Sequence, residues 1–389
     1  MPLRYLTAGE SHGPSLTAIL EGLPAGLPLD ENLIALDLAR RQTGTGSGDR
    51  MAIEKDRAQI LAGVMEGVTT GAPLALQIIN KDHANWKGKA VPAYTTPRPG
   101  HTDLAAAVKY GYSDVRPSLE RASARETAIR VATGAVCRAL LNTFGITVGG
   151  YVSALGGHVA RLDGLAFSER LTRARMSDVQ CPDPDSASEM TRSIEKARSS
   201  GETLGGILEV VAQGVPAGLG SHVNCDRRLD ARLAQAMLGV PAIKGVEIGS
   251  AFDNAAKAGS LAQDAIVADG NVLNRKTNAC GGIEGGISNG QTVWLRAAMK
   301  PIPTTRKGQE TVDLATGKPA LTYYERSDVC PVPRAVVVLE AVVAIVLADA
   351  LIEKLGGDSI AEMKPRFDAL RRATLEDVRM TGLPHVFWP

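Results

Sequence analysis

Aromatic residues are scarce in this chain: five phenylalanines, seven tyrosines and three tryptophans make up only 4% of 389 residues. A core built from rings is excluded, so packing must rest on aliphatic side chains and close backbone contact, which 41 glycines permit. Net charge is nearly absent as well. Lysine plus arginine number 43 against 42 aspartates and glutamates, a formal charge of +1, which offers no general attraction to nucleic acid or to an anionic membrane. Any cationic site must therefore be local. The cysteines (Cys137, Cys181, Cys225, Cys280 and Cys330) stand far apart with no C-x-x-C pair, the pattern of reduced thiols rather than of a disulfide framework. No apolar signal-peptide core follows "MPLRYLTAGE". The most apolar run, "AVVVLEAVVAIVLADALIEKLGG", carries Glu340 and Asp349 and reads as a buried helix ending at Gly356-Gly357, not as a membrane span. A Walker loop, a strand-borne G-x-G-x-x-G, zinc-ligand spacing and a G-x-S-x-G elbow are all missing, which removes the common NTPase, dinucleotide-binding, metallohydrolase and serine-hydrolase readings. The expectation is a soluble, cytoplasmic protein.

What is present first is a repeat. "EGLPAGLP" (21–28) returns as "QGVPAGLG" (213–220), and "GVMEGVTTGAPLAL" (63–76) returns as "GIEGGISNGQTVWL" (282–295). Gly63, Gly67 and Gly71 fall opposite Gly282, Gly286 and Gly290, and the two matches keep the same order in each half. The period is far too long for a solenoid. Length alone suggests two or three domains at roughly 150 residues each. The repeat favours one fused unit instead, with pseudo-repeats at about 1–150 and 200–357 and an exposed, charged insertion at about 160–200. Apolar runs broken by Pro-Gly turns ("LTAILEGLPAG", "GGILEVVAQGVPAG") read as strands. "DENLIALDLARRQ", after a capping Asp30, and "NCDRRLDARLAQAMLG" have helical spacing.

Several polar motifs fit chemistry better than structure. His12 and His101 lie in glycine-containing turns, "GESHGP" and "TTPRPGHTD", where backbone can approach a ligand closely. Arginines cluster beside them: Arg40, Arg41 and Arg50, then Arg98 between two prolines, then Arg116, Arg121 and Arg125. Guanidinium groups grip carboxylates and phosphates bidentately. Ser123-x-x-Glu126 ahead of an apolar helical pattern is a capping box, and a helix start with two arginines is equally an anion site. "MKPIPTTRKG" holds an extended backbone beside Lys300, and Arg326-Ser327-Asp328 carries a carboxylate in a loop before Pro331.

Taken together, "YLTAGESHGPSLTAILEGLPAGLP", "RPGHTD", "KYGYSDVRPSLERASARETAIRVA", "GGIEGGISNGQ", "AAMKPIPT" and "ERSDVCPVP" resemble the chorismate synthases, from residue 3 to about 357. The resemblance implies an α+β fold, an internally duplicated layered sandwich with helices packed between antiparallel β-sheets, assembled as a homotetramer. It implies a 1,4-anti-elimination of phosphate from 5-enolpyruvylshikimate 3-phosphate, the last step of the shikimate pathway, requiring reduced FMN without net redox change. By position, Arg41, Ser47, Arg50, Arg98 and Arg125 are then the substrate side. His12 gives a proton to the departing phosphate with Ser11 beside it, His101 sits near the reduced flavin, and Asp328 accepts or relays the ring proton. The flavin is expected against Arg121, Ala122, Ser123, Pro241, Ala242, Gly285, Lys300, Pro301, Ile302, Pro303, Thr304 and Arg326. Ser47 stands where the family usually has an arginine, Pro241 stands where some members carry an amide side chain, and Glu10 has no assigned part.

Two other readings compete. One is a flavin-using redox enzyme fed by NAD(P)H, which also names NAD(P)H as a source of reducing equivalents for the leading reading. The other is a non-catalytic binder of phosphorylated ligands, which leaves two glycine-flanked histidines without work. No metal is expected, and a small-molecule substrate is the expected partner.

Overall fold

The computed structural model describes residues 2–46, 55–325 and 327–388, so Ser47, Arg50 and Arg326 lie outside the described residues. The first half runs β1 (Arg4–Ala8), β2 (Ser15–Glu21), α1 (Glu31–Gln42), β3 (Ala58–Ala62), the tight hairpin β4 (Val64–Met65) and β5 (Val68–Thr69), and β6 (Leu74–Ile79). Short helices α2 (His83–Trp86), α3 (Asp103–Tyr110) and α4 (Arg116–Arg121) lead into the long α5 (Thr127–Thr143). Next come β7 (Thr147–Leu155), β8 (His158–Val159), α6 (Phe167–Arg175), α7 (Pro184–Ser200), β9 (Gly206–Gln213), α8 (Leu229–Leu238) and β10 (Ile243–Ile248). Helices α9 (Ala251–Ala255) and α10 (Gly259–Ala262) precede the hairpins β11 (Ile266–Asp269) with β12 (Val272–Arg275) and β13 (Ile283–Glu284) with β14 (Ile287–Ser288). The chain closes with β15 (Val293–Met299), the hairpin β16 (Glu310–Asp313) with β17 (Lys318–Leu321), α11 (Val332–Leu355) and α12 (Ile360–Asp368).

The strands form two large antiparallel sheets, ordered β1-β2-β6-β3 and β10-β15-β9-β7-β8. Read from β7 outward, the second sheet has the order β7-β9-β15-β10, which follows the first element for element. Alternate residues face inward, Leu16, Ala18 and Leu20 on β2 and Val293, Leu295 and Ala297 on β15, as a half-buried strand requires. Between the sheets lie α5 and α11, packed on each other, with α1 against α5 and α8 against α11. This is the layered α+β arrangement the sequence motifs imply.

The repeated turns are locked alike. In the first half Thr69 Oγ1 donates to the Pro24 carbonyl at 2.6 Å and accepts from the Leu27 amide at 3.0 Å. In the second, Ser288 Oγ donates to Pro216 at 2.6 Å and accepts from Leu219 at 2.8 Å. The flanking backbone bonds match as well: Gly26 to Thr69 and Gly218 to Ser288, both 2.8 Å.

Helix α11 is the one described helix long and apolar enough to cross a membrane, and 89% of its most apolar window is buried within the protein. It has no polar stripe because protein surrounds it on all sides. Its contact with α5 is close: a Cβ on Gly134 would lie 2.3 Å from the Ala341 Cβ, so only glycine fits at that crossing. The stretch at 160–200 departs from its sequence reading. Its charged residues face outward, but Met190, Ile194 and Ala197 of α7 are buried together with Val179 and Cys181, so it is a packed layer rather than an exposed insertion.

One carboxylate sits inside α11. Glu340 accepts from Arg40 at 2.7 and 2.9 Å, from Arg138 at 2.9 Å and from the Gly150 amide at 2.8 Å. Burial works to raise its pKa, but Arg40 and Arg138 outweigh it and hold the carboxyl below its ordinary 4.5. Removing one member of such a buried group leaves cations uncompensated. Glu340→Gln is therefore expected to cost about 3–5 kcal/mol in urea unfolding. Because the folded-state pKa is depressed, the stability from Glu340 is complete above about pH 4.5 and fades as pH falls through the folded value. The acid limb of the stability curve should be shallower in Glu340→Gln than in the unsubstituted protein.

Candidate active site

The turn between β1 and β2 presents Ser11 and His12. Gly9 has φ +119°, and a Cβ there would lie 2.4 Å from the Ser15 carbonyl oxygen, so the bend needs glycine. Helix α4 holds the turn from one side: the Ser11 amide donates to the Glu120 carbonyl at 3.1 Å, and the His12 amide donates to Glu120 Oε2 at 2.7 Å. The other Glu120 oxygen meets His12 Nδ1 at 2.6 Å. Helix α2 holds it from the other side. The Trp86 ring centroid is 4.4 Å from that of His12, and His83 Nδ1 donates to the His12 carbonyl at 2.9 Å. Beneath the turn, buried Asn80 donates to the Glu10 and Gly13 carbonyls at 3.2 and 2.9 Å.

Asn80 also opens a buried ionic cluster, since its Oδ1 accepts from Arg125 Nε at 2.9 Å. Arg125 Nη1 spans both oxygens of Asp56 at 2.6 and 2.7 Å. Arg41, from the last turn of α1, donates to the Ala124 carbonyl at 2.8 Å and to Thr127 Oγ1 at 2.9 and 3.1 Å, with Asp56 at 3.5 Å. Arg334 donates to the Arg41 carbonyl at 3.0 Å and to Asp328 Oδ2 at 2.6 Å. Among the described residues these five groups are three guanidiniums and two carboxylates, and Arg41, Arg125 and Arg334 are all buried. Burial, with Arg334 close by, lowers Arg41 to about 9. Its Nη1 is buried without a hydrogen bond among the described residues. A buried donor of this kind, set among guanidiniums, is a place for an anion.

The second histidine loop is built differently. Arg98 donates to Asp103 Oδ2 at 2.8 Å, to Asp103 Oδ1 at 3.1 Å and to Thr304 Oγ1 at 3.0 Å. His101 Nδ1 lies 2.5 Å from Asp103 Oδ1. Burial works to raise the Asp103 pKa, yet hydrogen bonds from His101 and Arg98 hold its carboxyl well below the usual range. The Lys300 ammonium donates to the Gly100 carbonyl, and the Lys300 amide donates to Ala242 at 3.0 Å. Ala242 has φ +68°, a left-handed conformation that costs a non-glycine residue energy.

Thr304 and Asp328 line one small cavity with Thr203, Arg306 and Tyr324. At this cavity the Arg98 loop, with His101 and Thr304, comes beside Asp328, from which contacts lead through Arg334, Arg41, Asp56, Arg125 and Asn80 to the His12 turn. Pro301, Ile302 and Pro303 continue from β15 along its edge, with the Ile302 and Pro303 carbonyls accepting from Thr203 and Gln309 at 2.8 and 2.9 Å. Arg121 and Ala122 end α4, and Arg121 Nη2 donates to Thr7 Oγ1 at 3.3 Å. Ser123 caps a single 3-10 turn, accepting from the Arg125 amide at 3.3 Å. The expected capping box is half formed: Glu126 turns away to accept from Thr7 Oγ1 at 2.6 Å and Arg130 at 3.0 Å. Just ahead of Pro241 and Ala242, the Gly239 carbonyl accepts from Arg130 of α5 at 2.8 Å. Gly285, with φ +59°, turns the β13–β14 hairpin, which packs on Gly220 and Arg228 at the start of α8. Motif reading missed Glu120, Asp56, Asn80, Asp103, Arg334 and Trp86. Asp103 lies in "RPGHTD" and Glu120 in "KYGYSDVRPSLERASARETAIRVA", whereas the other four fall outside the quoted motifs.

A family model described as chorismate synthase matches residues 3–352. The chain is 51% identical over 383 residues to the chorismate synthase of Geobacter metallireducens, covering 94% of this chain and 98% of that protein. It is 52% identical over 384 residues to that of Moorella thermoacetica, covering 95% and 98%. A crystal structure of a chorismate synthase superposes with TM-score 0.78 at 44% identity, over 95% of this chain and 97% of that one.

The buried Arg41 Nη1 predicts a linkage. Inorganic phosphate at 100 times its dissociation constant should stabilise the protein by about 2.7 kcal/mol, read from urea unfolding. Arg41→Met should remove most of that increment.

Proposed function

We propose, for a chain that belongs to the chorismate synthase family, a division of labour in the family's reaction. That reaction is the 1,4-anti-elimination of phosphate from 5-enolpyruvylshikimate 3-phosphate, giving chorismate in aromatic biosynthesis, and the chain is a carbon–oxygen lyase. The observation that supports the assignment of roles is the buried Arg41, Arg125 and Arg334 cluster beneath the His12 turn, which reaches through Asp328 the cavity shared with the Arg98 loop. The substrate brings two carboxylates and a phosphate, and buried cations are what such a ligand needs to leave water.

Arg41, Arg125 and Arg98, with Ser47 and Arg50 assigned from the sequence resemblance, take the substrate's anionic groups. His12 delivers a proton to the departing phosphate, and the Ser11 hydroxyl hydrogen-bonds to it. Asp328 accepts or relays the proton lost from the ring, its negative charge steadied by Arg334 at 2.6 Å. His101, fixed by Asp103, holds a proton against the cofactor. Reduced FMN, when bound, supplies electron density to the breaking C–O bond. The residues present suit it: Lys300 and Arg121 offer cations for its phosphate, and Ala242, held left-handed, is bonded to the backbone of Lys300. Ala122, Ser123, Pro241, Pro301, Ile302, Pro303 and Thr304 complete that wall, with Gly285 and Arg326 assigned to it from the sequence resemblance. Flavin reduction belongs to a separate donor, with NAD(P)H one source. The working form is a cytoplasmic homotetramer.

Anaerobic assay with dithionite-reduced FMN should yield chorismate absorbance and phosphate in equal amounts without consumption of flavin. Stoichiometric flavin oxidation would favour the redox reading, and tight flavin binding with no product would sink the elimination. His12→Ala and His101→Ala should each lower turnover by about 10²-fold or more in folded protein. Full turnover in Asp328→Asn would remove Asp328 from the proton path.

A further inference from the structure

We infer that Glu120 is the positioning residue for His12, fixing the ring so that Nδ1 carries a proton and Nε2 is the atom that serves the reacting phosphate. The inference rests on the reading of His12 as the acid of the elimination.

Glu120 grips His12 twice. Oε2 accepts from the His12 backbone amide at 2.7 Å while Oε1 lies 2.6 Å from Nδ1. A carboxylate offers only lone pairs, so the proton in the second contact belongs to Nδ1. The backbone of Glu120 joins in, its carbonyl accepting from the Ser11 amide at 3.1 Å. One residue therefore sets both the path of the turn and the orientation of the ring. Trp86 packs against the imidazole as well, the ring centroids 4.4 Å apart and the planes tilted by 46°. The His12 and Glu120 side chains are only 18% and 16% exposed, so water competes poorly for the contact.

The consequence for proton transfer is direct. A cationic imidazole that gives up its Nε2 proton becomes the neutral Nδ1–H form, which is the form Glu120 stabilises. A ring whose other nitrogen is held this way has a defined direction of transfer.

Glu120→Gln gives a sharp test because the backbone amide cannot change its role. The new amide must turn its oxygen to the His12 N–H, which leaves its NH₂ facing Nδ1. That arrangement demands an unprotonated Nδ1 and moves the proton to Nε2. With ¹⁵N-labelled histidine, the neutral His12 signals of the unsubstituted protein should show protonated Nδ1, and those of Glu120→Gln protonated Nε2. Turnover should fall by about 10–100-fold with a much smaller change in KM, while His12→Ala gains little further loss from Glu120→Gln. Unchanged turnover and an unchanged tautomer in folded Glu120→Gln would overturn the inference. So would an Nε2–H signal in the unsubstituted protein, a measurement that stands even where Glu120→Gln does not fold. Should His12→Ala itself be fully active, it is the acid assignment that fails, whatever the tautomer.

Discussion

A carboxylate that water cannot reach has to be met by the protein, and Glu340 places that demand at the centre of the molecule. It projects from the most apolar helix of the chain, and its partners come from three other elements: Arg40 from α1, Arg138 from α5 and the Gly150 amide from β7. None of the three can shift far without leaving buried charge or a buried amide unpaired. The helix layer is thereby pinned to the second sheet and to α1 at a single point. Because Arg41 follows Arg40, the same anchorage delivers the neighbouring guanidinium to the Asp56 cluster. Two consecutive arginines on one helical turn thus divide between the Glu340 and Asp56 clusters.

The electrical balance of the whole chain conceals this arrangement. A formal charge of +1 suggests no particular ligand, yet Arg41, Arg125 and Arg334 share only Asp56 and Asp328 among the described residues of their cluster. The carboxylates are spent where geometry needs fixing, one on two site arginines and another on Arg98 with His101. What is left over among the described residues is the buried Arg41 Nη1 without a hydrogen bond. Preorganised charge of this kind does its work without reorganising during the reaction.

Features with a local cause were legible in the sequence. The Asp30 cap, the strands around the Pro-Gly turns and the two glycine-flanked histidines each follow from a few adjacent residues. The layered fold and the reaction came through motifs long enough to resemble a family. The residues that position the catalytic groups were not legible, because each acts across the chain: Glu120 reaches His12 over 108 residues, Asp56 reaches Arg125 over 69 and Arg334 reaches Arg41 over 293. Motif reading also favours cations and histidines, whereas the missed residues are mostly the acids and amides that hold them. The capping box shows the opposite error. Ser123 and Glu126 have the right spacing, but Thr7 and Arg130 offered Glu126 better partners than the helix end did.

The locked turns of the two halves carry a different lesson. Thr69 and Ser288 make the same pair of hydrogen bonds to the same kind of proline and leucine partners, although the letters differ. What both halves keep is a hydroxyl at one point in space, able to give one bond and receive another. Percent identity between the halves therefore understates their kinship, which is better counted in shared donors and acceptors than in shared residues.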